Sequence, residues 1–258
     1  MLELSDTVIG SWLGAMLWPF VRIGGFLMVA PITSSRLVPV RIRLMLALVL
    51  TLVVAPNLPP VPQLEGLSLA TFVLIAQQLF IGIAMGLVLQ VMMQLFVLAG
   101  HIIGLQMALG FSQMVDPASG VSVPALSQFH LMLATMLFIA MNGHLAMIEV
   151  FVQGFYIFPI GAGFISSNAI WELSGWFSWM FASALLMALP AITAMMIINF
   201  ALGIITKAAP QLNIFAIGFP FMLIVGLILV WIMIAGYIPL FDKFVSESLM
   251  MMTQLITR

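Results

Sequence analysis

Long apolar runs separated by proline and glycine dominate this chain. Six extend from Trp12 to Ala30, Leu44 to Ala55, Leu69 to Gly100, Pro124 to Ile148, Ser174 to Thr206 and Ile214 to Phe241, with a seventh, weaker one around Val150 to Ile165. The breaks fall at Pro31, Pro39, Pro56 to Pro60, Pro117, Pro159 and Pro210, where proline ends or kinks a helix. No strand-like alternation competes with helix over these lengths. The predicted fold is therefore all-α, without a soluble domain or a low-complexity linker.

The lengths do not suit a plain bundle of membrane spans. Leu69 to Gly100 holds 32 residues and no charge. As one helix it measures about 48 Å, against a hydrocarbon layer of about 30 Å. Tilt alone would have to reach roughly 50°, beyond the usual range. Ser174 to Thr206 poses the same problem, and Leu44 to Ala55 is too short to cross. The pattern predicts long helices partly buried in protein, broken or steeply inclined, with Pro190 and Pro220 as candidate kinks. From Asp242 to Arg258 the period changes to that of a short amphipathic helix. Phe244, Val245, Leu249, Met252, Leu255 and Ile256 share its apolar side, which is expected to cap an assembly or lie on the membrane interface.

Composition sharpens this picture. Of 258 residues 64% are apolar and 6% charged, so the charged side chains cannot coat a water-exposed particle. A net charge of -1 gives nucleic acid nothing to bind. The absence of cysteine excludes disulfides and thiolate metal sites. Met1 to Gly10 carries Glu3 and Asp6 but no Lys or Arg, so it lacks the basic start of a cleavable signal and the first apolar helix is expected to stay. Arg36, Arg41 and Arg43 share one connection, which the positive-inside rule places in the cytoplasm with the N-terminus outside. Lys207 agrees with that orientation and Lys243 does not.

Enzyme signatures are missing. Gly110 to Met114 approaches a nucleophile elbow but lacks its second glycine, and neither a zinc-protease motif nor a phosphate-binding loop occurs. His101 falls 7 and 11 residues after Gln94 and Gln90, so the three form one polar helical stripe. Polar packing is the expected role of that stripe rather than metal binding, since carboxylate partners for a metal-bound histidine are scarce. No metal or cofactor is expected. Gly82 with Gly86 and Gly100 with Gly104 lie on one helix face and predict close helix packing against other subunits. Arg22 and Glu149 sit in apolar runs. An ion pair or a helix-end contact is expected for each, ahead of a proton relay.

Residues 104–124 differ from the rest, mixing Gly, Ser and Gln with Met107, Phe111 and Met114 before the turn-forming pair Asp116 and Pro117. Such a half-apolar loop belongs on a surface, inside protein or in a water-filled cavity. Composition leaves surface loop and pore element equally open.

Several of these stretches coincide with one family. Arg22 with Ala30-Pro31, Pro39 with Arg41 and Arg43, and Gln78 with Gly82 and Gly86 come first. Gly104-Leu105-Gln106-Met107 followed by Asp116-Pro117, Asn142-Gly143-His144, Leu189-Pro190, and Ala209 to Phe215 with Gly218 and Pro220 complete the series. In this order and spacing they resemble the R-subunit family of type III export gates, FliR in flagella and SctT in virulence secretion. The resemblance runs from about Trp12 to the C-terminal region.

The resemblance implies a non-enzymatic subunit of a closed helical gate for unfolded flagellar proteins, built with P and Q subunits and joined by the B subunit of the export apparatus. It implies a P-like part over residues 1–173, a Q-like hairpin over 174–241 turning at Pro210, Gln211 and Asn213, and the tail 242–258. Residues 104–124 would be the channel plug, with Met107, Phe111 and Met114 sealing and Asp116 and Pro117 turning the chain. The gate would sit in the bacterial inner membrane within the flagellar basal body, contact lipid, and project towards the periplasm. A virulence homologue, or a proton-coupled transporter working alone, is the alternative.

Overall fold

The computed structural model describes residues 6–35, 37–62, 68–109, 125–209 and 214–257. Their regular elements are helices: α1 Asp6–Val29, α2 Val40–Val54, α3 Leu69–Gln106, α4 Ala125–Ala140, α5 Gly143–Ile157, α6 Ser167–Ala208, α7 Ile214–Ile234 and α8 Tyr237–Thr257, with a 3-10 turn at Ala55–Asn57. No strand occurs among the described residues. The chain is all-α, as its sequence pattern predicts.

Four helical segments of the described chain are long and apolar enough to cross a membrane, and six if two pairs, each broken at a bend, count as one span apiece. The short run at Leu44 reaches this length because helix begins at Val40 and continues into the 3-10 turn, giving 18 residues. Neither long helix breaks. At the usual rise, the 38 residues of α3 and the 42 of α6 extend about 57 and 63 Å. Pro190 lies inside α6 and Pro220 inside α7, and both helices continue through them. One missing hydrogen bond is tolerated where no water competes for the rest.

The breaks lie elsewhere. Asn142 adopts a left-handed conformation, φ 58°, and splits the run from Pro124 to Ile148 into α4 and α5. Asparagine is the side-chain-bearing residue best suited to that turn. The weaker stretch after Val150 is the second half of α5. A turn at Ala235 and Gly236 divides the last apolar run, so the C-terminal helix starts at Tyr237. Much of its apolar side is covered by the chain itself. Phe244, Met252, Leu255 and Ile256 are buried within the chain, together with Phe241 and Ser248.

Packing groups the chain into two compact units, one of residues 1–91, 142–177 and 245–258, the other of 92–141 and 178–244. Helices α3, α6 and α8 each contribute residues to both units. In the first unit α2 packs back on α1, and α1 meets α3 through glycine. A Cβ on Gly82 would collide with the backbone oxygen of Arg22 and lie 2.9 Å from the nitrogen of Phe26. One on Gly86 would lie 2.8 Å from the oxygen of Phe26, and one on Gly25 2.7 Å from that of Leu79. The Phe26 ring stacks on Phe151 of α5 at 4.1 Å. Trp18 and Trp176 direct their indole N–H groups to the carbonyls of Pro62 and Val88, at 2.9 and 3.0 Å.

In the second unit Phe96 of α3 sits among Tyr237, Phe241 and Phe244 of α8, with centroids 5.6 to 6.0 Å apart. Gly100 admits α4, since its Cβ would lie 2.8 Å from the Cα of Ser127. A further core joins Ile103 of α3 and Met107 just after it, Leu126 of α4, Ala188, Ala191 and Met195 of α6, and Met222 and Val230 of α7.

These contacts predict a sharp contrast between neighbouring glycines. Gly82→Ala has to move backbone and should destabilise the chain by about 3 kcal/mol, as overpacking of a tight core does. Gly24→Ala, with nothing within 4 Å, should be neutral or mildly stabilising. Thermal inactivation of the two variants in one detergent would separate them, and equal stability would remove the α1–α3 contact from the fold.

Candidate functional site

Of the residues expected to form a plug, Phe111, Met114, Asp116 and Pro117 lie outside the described residues, as do Pro210, Gln211 and Asn213 of the hairpin turn. Met107, expected among the sealing side chains, is described. It is 1% exposed, within the core that α3, α4, α6 and α7 share. Its side chain wraps Gly226 of α7, whose missing Cβ would lie 2.8 Å from both Sδ and Cε. Gly226 went unnoticed in the sequence because a single glycine in an apolar helix carries no partner signal.

Just beyond Met107 the chain turns. The N–H of Leu109 donates to Gly104 O and that of Ala108 to Leu105 O, each at 3.1 Å. Ala108 adopts φ 60°. This is a Schellman stop with alanine where glycine is usual. Leu109 then folds back onto the same core as Met107.

The small-residue face is occupied by the chain itself. Gly82 and Gly86 receive α1 and Gly100 receives α4; Gly104 is buried. In the polar stripe, Gln90 accepts from the Ser34 hydroxyl at 3.4 Å, Gln94 is exposed and His101 half-buried. Among the described residues no group of three His, Asp or Glu side chains could hold a metal ion.

Arg22 is fully buried, and its partners are not carboxylates. Nε donates to Gln78 Oε1 at 2.7 Å, and one terminal nitrogen donates to the carbonyls of Phe158 at 3.0 Å and Gly154 at 3.5 Å. The guanidinium carbon lies 4.5 Å from the centroid of the Phe155 ring. Gly154 lies in the last turn of α5 and Phe158 caps it, where the carbonyl end of the helix dipole concentrates negative potential. Arg22 thus makes the helix-end contact, capping α5 from another helix. Glu149 is exposed and accepts from Gln153 at 3.3 Å, away from Arg22. Arg43 works similarly on the turn before α2, donating to the carbonyls of Ser34, Ser35 and Val38 at 2.7 to 3.4 Å.

Two arginines held by carbonyls, glycine-mediated helix contacts and membrane-length apolar helices are thus what the described residues present. The profile of the bacterial export proteins, family 1, matches residues 13–248. The chain belongs to that family. It is 40% identical over 261 residues to the flagellar biosynthetic protein FliR of Escherichia coli K12, covering all of this chain and 98% of that one. With the protein of that name from Pectobacterium carotovorum it shares 35% over 258 residues, again end to end. The Bacillus subtilis relative is 26% identical over 218 residues, 83% of this chain and 84% of its own. In this member of the export family, membership rests on the whole run of helices rather than one motif.

Removing the Arg22 guanidinium would take this partner from Gln78 Oε1 and the Phe158 carbonyl in an apolar interior, while the Gly154 carbonyl keeps the Phe158 N–H. Each such group costs about 1 to 3 kcal/mol. Arg22→Met should therefore lose about 2 to 5 kcal/mol, and adding Gln78→Leu should restore part of it. Thermal inactivation of the single and double variants would show this; strict additivity of the two losses would mean that the side chains act independently.

Proposed function

We propose that this chain is a non-enzymatic subunit of the flagellar type III protein export gate, forming part of the channel through which unfolded flagellar proteins pass. One observation carries the reading: the outward face of α6. Trp171, Phe181, Leu186, Ile197, Phe200 and Ile204 are each more than half exposed. Along a helix they extend about 50 Å. A hydrocarbon layer of about 30 Å, crossed at the steepest usual tilt, covers about 39 Å of helix. The remainder needs protein.

The partners proposed for that face are the P and Q subunits, with the B subunit of the export apparatus joining them. In this reading residues 1–173 are P-like and 174–241 form a Q-like hairpin. The assembly lies in the bacterial inner membrane and projects towards the periplasm, which supports the excess helix length. Residues 104–124 serve as the channel plug, with Phe111 and Met114 as its sealing side chains and Met107 as its anchor. Adaptable thioether and one aromatic ring exclude water and still yield to a passing chain.

Expression alone and together with P and Q subunits tests the partnership. Mass measurement of the intact detergent complex should find this chain stable only in the mixed assembly. A well-behaved monomer or homodimer would instead favour a transporter working alone. The plug has its own test. Phe111→Gly with Met114→Gly should open an ion leak in membranes while the assembled complex is still recovered. Unchanged conductance from that assembled variant would place the seal in the partner subunits.

A further inference from the structure

Helix α3 stops in an unfavourable place. Ala108 takes a left-handed conformation that a Cβ disfavours. The sequence offers Gly110 two residues later, the residue type such stops ordinarily use. Local preference would therefore carry the helix past Ala108, and a tertiary contact must hold it back.

Two side chains flanking Ala108 supply that contact. Met107 is buried with its thioether folded around Gly226, where any Cβ would overlap it. Leu109 packs against the same core. In a continuing helix, residues two apart point about 200° from each other, so Leu109 would leave the core that Met107 occupies. The left-handed residue between them reverses the chain and places both on one side.

We propose that seating of Met107 against Gly226 selects where α3 stops, holding it at Ala108 and keeping Leu109 on the core. Gly226 is then a positioning residue: it sets the point and direction at which the chain leaves α3. With the notch filled or the methionine removed, Ala108 relaxes to the helical conformation and Leu109 turns outward. Any consequence for export rests on the reading of the following residues as a plug.

The absence of native cysteine gives a clean background for the test. Leu109→Cys is introduced into the full chain, co-assembled with P and Q subunits and purified in detergent, and its labelling by N-ethylmaleimide is timed. Adding Gly226→Ala or Met107→Ala should each accelerate labelling about tenfold or more, as local opening exposes the thiol. Ala108→Gly, which removes the backbone penalty without touching the notch, should slow labelling again in the Gly226→Ala background. Met107→Ala adds no bulk, so it reports even where a larger residue at 226 prevents assembly. Labelling unchanged by both Gly226→Ala and Met107→Ala would overturn the proposal. Ion conductance of the same assembled variants separates the two ideas: faster labelling without a leak leaves the stop as described and removes the plug reading.

Discussion

Backbone contact between α1 and α3 organises the first unit, and nearly everything distinctive there follows from it. Without Cβ atoms at Gly25, Gly82 and Gly86, the two helices touch main chain to main chain. The backbone of Arg22 lies on Gly82, so its side chain reaches Gln78, one turn earlier on α3, and the end of α5. Phe26, one turn after Arg22, lies against Gly82 and Gly86 with its backbone and stacks on Phe151 with its ring. One close approach thereby fixes three helices. A larger residue at Gly82 would disturb the cation and the aromatic stack together.

Such economy suits a chain with few polar groups. In apolar surroundings an unpaired donor or acceptor has no water to turn to, so partners come from main-chain groups already present. Hydroxyls bond back along their own helices: Thr51, Thr135, Thr193, Thr206 and Thr253 each donate to the carbonyl four residues earlier. Arginines bond to carbonyls where helices and turns end. A side-chain amide, two helix-end carbonyls and an aromatic face together explain how a buried Arg22 persists without an acid. Each attracts the cation without bringing a second charge into the interior.

The helical segments were legible because apolar length and proline punctuation act locally. Their true ends were less so. Asn142 and Gly236 break runs that are apolar over most of their length, since a left-handed or tight turn depends on backbone tolerance more than on polarity. The C-terminal helix showed its amphipathic period but not its destination, because period reveals that a face is covered and not by what. The same gap explains the glycines. Spacing showed that Gly82, Gly86 and Gly100 meet something closely, whereas their partners, α1 and α4, are set by chain tracing. The contact of Met107 was hidden for a related reason: a methionine beside a loop reads alike whatever it touches, and its burial against Gly226 depends on how α7 is placed.

The two kinds of glycine contact also differ mechanically. At Gly82 and Gly86 the opposing atoms are backbone, which cannot shift without moving a helix, so the contact is rigid and intolerant of size. At Gly226 the opposing atoms belong to a flexible thioether, and Met195 and Met222 line the same core. Unbranched methionine repacks at low cost, so this core can accept a changed neighbour while remaining filled. Gly154 in the first unit is intermediate, facing Met85 and Ile256 side chains at 3.0 and 3.2 Å. Rigidity thus concentrates where Arg22 is buried and a displaced charge would be costly. Compliance concentrates where α3 ends on a strained alanine and a small rearrangement redirects the chain.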